Sequence, residues 1–484
     1  MVKNSFLLYN IIIKLKKGDK KIMTFIPNAG KMVMADGVSF SLDDIGGKRN
    51  NNCIVVGASG TSKTRSFVIP NILEATGSYV ISDPKGSLYK DYHKHLKDRG
   101  YKVYLLDFRN IEKSNRYNPL DYVKKDDDAI ALASILYTRT KSTDKDKYWE
   151  LSAINLLAAL ISHIKTSLPY KYRNLGALAD MLNTRKLKIG LDNTLVDFLN
   201  VKYKPIKGTI KMDQLLGAIN REGFDEEDMD EFFKFLNEKH PCTATRYYSQ
   251  LFKDGDSADT TKECIFMEAN FAMEQYATDS MRKLTSESDF DFRDLGNEKT
   301  AIFVTCSDTD RSKDQFVSLF YSQCLQVLCN YADTECKDNR LPVPVRFFLD
   351  DFATNYKIAD FDKIITMIRS RGISASIIIQ DVHQLESAYN EAWHTIISNC
   401  DNAMYLGGND YETSVEISKQ FDVPLDDIRS MKYRDCYIYR RLEETKKSKT
   451  INLDMFKRAL MNGTEYKCKM PEESKKKVSI GFRV

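Results

Sequence analysis

Three short stretches carry residue types at spacings that can do chemistry. The first is "GASGTSKT", residues 57–64. It follows an apolar run and precedes a helical pattern, so backbone N–H groups of a tight turn and a helix N-terminus would face one anion. The string departs by one letter from G-x-x-x-x-G-K-[ST], because Ser62 stands at the second glycine. Gly57 and Gly60 supply permissive backbone, and Ser59, Thr61 and Ser62 complete the turn. Lys63 would hold β and γ phosphates as a point charge, and the Thr64 hydroxyl would ligate Mg²⁺. A single Cβ and hydroxyl at Ser62 is the smallest polar addition at that place.

The second stretch is "VRFFLDDFA" (345–353), an apolar strand running into two adjacent carboxylates. Downstream of a phosphate loop, this pattern gives Asp350 the metal role and Asp351 the role of polarising an attacking water. The second acid is commonly Glu, so Asp351 is one methylene short. The third stretch, "SIIIQD" (376–381), ends an apolar strand on Gln380, whose amide can sense a terminal phosphate or orient water. Just before it, "IRSRGIS" (368–374) puts Arg369 and Arg371 at a helix end. There they either satisfy the last carbonyls or, in a ring, reach a neighbour's nucleotide.

Elements able to position these groups are legible around them. Apolar, β-branched runs at 51–57, 77–83 and 101–108 alternate with helical patterns at 63–76 and 87–100. Continuous apolar strands separated by helices predict an α/β domain with a mostly parallel sheet covered on both faces. From about residue 141, at the polar "KSTDKDK", strand signals give way to helical spacing, with Ile154, Leu157 and Ile161 at i, i+3 and i+7. "DEEDMDEFFKFLNEK" reads as a helix with acids in its first turn, a solvated start or a contact for a basic partner. Strands return at 300–308, 343–352, 373–381, 402–408 and 436–442. The expected organisation is an N-terminal basic and apolar segment (1–24), a discontinuous α/β domain (25–140 and 295–450), an all-α domain (141–294) and a basic tail (451–484).

Composition narrows the class without naming it. The 484 residues exceed one hydrophobic core, and 42% apolar with 29% charged residues is ordinary for a soluble globular chain. Seventy-two Lys and Arg against 68 Asp and Glu leave a net charge of +4, too small to imply nucleic acid by itself. Ten scattered cysteines without a C-x-x-C pair argue for reduced thiols and against a transition-metal site, and Cys53 and Cys306 read as small core residues. "HKH" (93–95) reads as surface. The run "SFLLYNIII" (5–13) is too short to span a bilayer; it reads as an amphipathic segment, with an interfacial anchor through Lys14, Lys16 and Lys17 as the alternative.

Taken together in their order, "NNCIVVGASGTSKTRSFVIPNIL", "SYVISDPKGSLY", "YNPLDYV" and the long stretch from "VRFFLDDFA" through "SNCDNAMYLGGND" resemble the type IV secretion coupling proteins, the conjugative DNA transfer ATPases. The resemblance implies a RecA-like P-loop NTPase domain interrupted by an all-α domain, with ATP and Mg²⁺ as cofactors. It also implies a homo-hexameric ring that links relaxase-bound DNA to the channel ATPases and membrane components of a secretion system. Carried over by position, Lys63 and Thr64 match Walker A, Asp350 and Asp351 Walker B, Gln380 the glutamine after it, and Arg369 the trans-acting finger. Asp83, Lys85 and Gly86 match the family's "DPKG" turn. Such proteins usually carry N-terminal transmembrane helices and this chain has no such stretch, so the expected location is cytoplasmic, peripheral at the inner face of the plasma membrane. Two other functions fit the same residues: a nucleotide-binding receptor with weak hydrolysis, and a DNA translocase of the segregation or packaging kind.

Overall fold

A strand without polar residues has no solvent face and must sit inside a sheet covered on both sides. The apolar run before the glycine turn does so in the computed structural model, which describes residues 30–42, 49–137, 147–207, 211, 224–251, 259–307, 309–354 and 356–463. In chain order the strands are β1 (Lys31–Ala35), β2 (Val38–Ser41), β3 (Cys53–Val56), β4 (Ser78–Ser82), β5 (Lys102–Asp107), β6 (Lys186–Gly190), β7 (Phe224–Asp228), β8 (Thr300–Thr305), β9 (Val345–Leu349), β10 (Ile373–Ile379), β11 (Asn402–Tyr405), β12 (Asp435–Arg440) and β13 (Lys446–Lys449).

A nine-stranded sheet has the order β13-β12-β11-β3-β10-β9-β4-β8-β5. From β11 to β5 all neighbours run parallel, so their carboxyl ends share one edge. Strand β12 runs against the rest, pairing antiparallel with β11 and with β13 on the other side of the sheet. Alternate residues serve opposite faces: Ile54 and Val56 join the core shared with the helical segment, and Cys53 and Val55 join the core under the loop helix. Cys53 and Cys306 are buried, as expected of small core residues.

The interruption of the α/β domain is visible in the register. Strand β8, after the helical segment, pairs with both β4 and β5, placing Ala301 beside Tyr79 and Thr300 beside Lys102. Ile154, Leu157 and Ile161 are buried on the central helix Lys147–Ser167, but so are residues on its other faces, because neighbouring helices surround it.

The structure corrects the sequence reading in three places. The inserted segment is not all-helical: β6 and β7 form an antiparallel hairpin in which Leu187 and Ile189 alternate into the core. The acidic block is split, its first residues lying in β7 and Asp228 capping the helix Met229–Lys239 by accepting from the Glu231 N–H at 3.0 Å. Lys202 pairs with Glu227 at 2.7 Å and Glu231 at 2.9 Å, so part of that negative charge is answered inside the chain. Finally, the expected basic tail does not begin at 451: Leu453–Met461 is a helix whose Leu453 and Phe456 are buried with Leu88 and Tyr92. The segment 5–13 and the lysines after it, the linker 141–146 and residues 464–484 lie outside the described residues.

The β1–β2 hairpin carried a D-G turn signal that the sequence reading passed over. It is tied to the loop helix by Asn71, which accepts from the Val33 N–H at 3.0 Å and donates to the Val33 carbonyl at 2.8 Å.

Candidate functional site

The glycine turn leaves the end of β3 at the sheet's centre, where two flanking strands pin it. The Gly57 N–H donates to the Ile379 carbonyl at 3.2 Å and the Ala58 N–H to the Gly407 carbonyl at 3.0 Å. A Cβ on Gly57 would lie 2.6 Å from Thr61 Oγ1 and 2.9 Å from Leu406 Cβ, so only glycine fits. The turn is followed by a π-helical turn, Thr64–Val68, and then by the helix Ile69–Glu74. Pro70 lies inside this continuous helical run, where its missing N–H removes one helical hydrogen bond next to the wider π-helical turn.

Ser62 is in the left-handed region at φ +65, as is Gly60 at φ +83. The consensus glycine is therefore a conformational requirement here, which Ser62 meets at a cost of about 1 kcal/mol. Ser62→Gly relieves that cost but loosens the unfolded chain by about 0.5 kcal/mol, so a net stabilisation of about 0.5 kcal/mol is expected in thermal or denaturant unfolding. A loss of stability would mean that the serine side chain is itself held in the fold.

Lys63 is 8% exposed and lies on the loop's own carbonyls, donating to Gly57 O at 2.6 Å and Ala58 O at 3.3 Å. Burial pushes its pKa down, and Asp351, Asp350 and Asp381 push it back up. Thr64 Oγ1 donates to Asp350 Oδ2 at 2.6 Å, across 286 residues of sequence. Asp350 directly follows β9 at 5% exposure, and its backbone carbonyl accepts from Ser82 Oγ of β4 at 3.1 Å. Its carboxyl is raised to about 6, chiefly by burial, while the Thr64 hydrogen bond and Lys63 work against that rise. A hydroxyl and a buried carboxylate in contact are the hard oxygen donors that suit a magnesium ion.

Asp351 follows at φ +50, its N–H donating to Asp350 Oδ1 at 3.2 Å. Gln380 lies at the end of neighbouring β10, so Lys63, Thr64, Asp350, Asp351 and Gln380 all line one cavity of about 640 Å³ with Ser59, Gly60 and Ser62. A second cavity of about 630 Å³ shares the loop and continues past Thr61 to Gly407, Tyr433 and Asn452. Each volume is within the range of small-molecule sites.

Arg369 is not at this cavity. It precedes β10, at the opposite end of the sheet from Gln380, so the two are separated by roughly 20 Å of strand at ~3.3 Å per residue. Arg371, singled out with it, binds Asp333 at 2.6 Å and caps the helix-end carbonyl of Met367 at 2.7 Å.

The "DPKG" turn has a definite structure. Asp83, 1% exposed, accepts from the Tyr89 N–H at 2.8 Å and so caps the helix Ser87–Asp98. Gly86 is left-handed at φ +69, and a Cβ there would meet Arg109 Nη2 at 2.2 Å. Lys85 lines the cavity, as do Arg65, Asp454 and Lys457, none of which the motif patterns singled out as chemistry. Asp381 was also passed over; it caps the helix Val382–Tyr389 and its charge reaches Lys63. Lys457 could not have been found by spacing, because it belongs to a helix distant in sequence from every motif. His93 and His95 bond the carbonyls of Tyr89 and Leu73, so "HKH" presents no common ligand site.

A glycine loop at the end of a central parallel strand, a lysine within it and a carboxylate at the end of the next strand but one define a RecA-like P-loop protein. The chain belongs to the type IV secretory system conjugative DNA transfer family, whose model matches residues 10–476. It is 22% identical over 391 residues to protein VirD4 of Rhizobium radiobacter, across 80% of this chain and 50% of that protein. With VirD4 of Rhizobium rhizogenes the identity is 22% over 389 residues, across 80% and 51%. The chain thus spans about half the length of the curated relatives it matches. Among solved structures, the unbound bacterial conjugative coupling protein TrwBdeltaN70 superposes with a TM-score of 0.57 at 15% identity, over 87% of this chain and 88% of that one. TrwB in complex with the non-hydrolysable ATP analogue ADPNP gives 0.55 at 15% identity, over 87% and 89%. TrwB with ADP and Mg²⁺ gives 0.54 at 16%, again over 87% and 89%. At these identities the likeness establishes the fold. Among the described residues no helix is long and apolar enough to cross a membrane.

Proposed function

We propose that this chain is the ATP-hydrolysing coupling protein of a conjugative DNA transfer system. The observation that carries the reading is the contact between Thr64 and Asp350 at 2.6 Å, which joins loop and strand end into one oxygen pair beside Lys63. Residues Gly57 to Thr64 would cradle the phosphates of ATP, and Thr64 with Asp350 would hold Mg²⁺. The bound ion supplies charge neutralisation of the phosphates. Lys63 exchanges the Gly57 and Ala58 carbonyls for phosphate oxygens, Asp351 holds water for attack, and Gln380 orients it. Arg369, at the far end of β10, is suited to a neighbour's site in a homo-hexamer. Structures of the similar TrwB contain ADPNP or ADP with Mg²⁺, which supports the same cofactors here.

The partners follow from the family. They are DNA bound through its backbone without sequence preference, the relaxase that carries it, and the ATPases and membrane components of the secretion channel. A cytoplasmic location peripheral to the plasma membrane fits that role. Steady-state hydrolysis with and without single-stranded DNA tests the reading: Mg²⁺-dependent turnover that rises with DNA and falls with salt is expected. Ser62 and Asp351, both at positive φ where the stronger consensus has Gly and Glu, favour one alternative, a receptor that binds ATP and barely hydrolyses it. Tight ATP binding with DNA-insensitive, negligible turnover would establish that alternative.

A further inference from the structure

Beyond the motif residues, the cavity has two lysines on separate elements, and their surroundings differ in kind. Lys85 stands in a turn fixed from every side: Asp83 is buried and caps the following helix, the Gly86 N–H donates to the Asp83 carbonyl at 2.9 Å, and Gly86 is left-handed against Arg109. The turn is held while its lysine is exposed, without a hydrogen bond or ion pair among the described residues. A preformed turn that presents one uncommitted cation is suited to a ligand anion.

Lys457 comes from the other direction. Its helix, Leu453–Met461, is anchored by Leu453 and Phe456 on the cluster containing Leu88 and Tyr92, and its ammonium lies 4.9 Å from the Tyr92 ring centroid. Tyr92 belongs to the helix that Lys85's turn begins, so both lysines are tied to that helix and both line the cavity. Lys457 has no carboxylate partner among the described residues. Lys63, Thr64 and the Asp350–Asp351 pair line the same cavity, as do Asp91 and Asp454.

We infer that Lys85 and Lys457 form a second cationic clamp that reads the terminal phosphate of a nucleoside triphosphate, making the C-terminal helix a sensor of which nucleotide is bound. This rests on the nucleotide reading of the site. The loop and Lys63 already reach the β and γ phosphates, so the two further cations are expected to matter most for the ligand with more negative charge, a triphosphate rather than a diphosphate. Because Lys457 is fixed to a helix, its attraction to that charge stabilises the docked position of Leu453–Met461.

The test is equilibrium binding of ADPNP and of ADP, each with Mg²⁺, to the unaltered protein and to Lys85→Ala, Lys457→Ala and the double variant. Loss of one charge-assisted contact is expected to weaken ADPNP about tenfold and ADP less than about twofold, with Lys457→Arg restoring ADPNP binding. Hydrogen exchange in 453–461 should slow with ADPNP and not with ADP, and lose that difference in Lys457→Ala. An unchanged ratio of ADPNP to ADP affinity in both single variants overturns the inference while leaving the nucleotide site standing. A lower melting temperature in Lys457→Ala with that ratio intact means only packing on Tyr92, and also overturns it. No binding of either nucleotide by the unaltered protein overturns the nucleotide reading itself.

Discussion

Replacing Lys63 by alanine is expected to lower ATP turnover by about 10²–10³-fold or more while leaving the fold intact, since one preorganised cation at a transferring phosphate is worth that much. The fold should survive because the loop does not depend on this side chain. Gly57 and Ala58 keep their N–H bonds to the Ile379 and Gly407 carbonyls. Turnover measured beside circular dichroism checks both halves, and DNA transfer should be lost with turnover. Wild-type transfer by Lys63→Ala would remove the motor reading outright. The change also takes away a cation that holds the Asp350 carboxyl down, so protonation of Asp350 should move further up.

Asp350→Asn should have opposite effects on activity and on the stability of the protein without nucleotide. Its carboxyl is raised from 3.8 to about 6 by burial, so the folded state binds this proton more tightly than the unfolded chain does. Stability therefore falls as pH rises through the window between those two values, and the penalty is complete above about 6. Two pKa units correspond to about 3 kcal/mol. Asparagine removes the charge and keeps an oxygen for Thr64, but adds a buried N–H₂ that offsets about 1 kcal/mol. A net gain of about 2 kcal/mol is expected at pH 7.5 and a small net loss near pH 4, where the charge penalty has gone and the N–H₂ cost remains, in unfolding experiments without nucleotide. Stabilisation by ATP with Mg²⁺ should disappear in the same variant, because a metal-binding oxygen has lost its charge. Equal destabilisation at both pH values would mean that Asp350 is held by its hydrogen bonds and bears no burial cost.

Much of the α/β architecture was legible because it is written in local pattern. "CIVV" is wholly apolar and "SYVIS" and "SASIII" add only serine to apolar residues, a composition that suits a strand covered on both faces, and each became one in the parallel sheet. The β6–β7 hairpin was hidden because "KLKIG" is short and sits among helices, where its alternation reads as a helix end. The helix Leu453–Met461 was hidden among basic residues; what defines it is Leu453 and Phe456 meeting Leu88 and Tyr92, a contact with no signature in its own segment.

Of the site, the sequence by itself determined the parts. Gly57, Gly60, Lys63 and Thr64 are set by turn sterics and phosphate chemistry within a few residues, and Asp350, Asp351 and Gln380 by their places at strand ends. Only the tertiary structure decided their meeting. The order β3-β10-β9 puts the ends of strands far apart in sequence side by side, and that order is set by pairing between distant segments, which no local pattern encodes. The same non-local pairing brings Thr64 onto Asp350, leaves Arg369 at the opposite end of β10, and places Lys85 and Lys457 at the cavity. The question raised by Ser62 is likewise answered only by the folded loop, where it sits at φ +65, so the serine bears a backbone cost that its letter alone could not reveal.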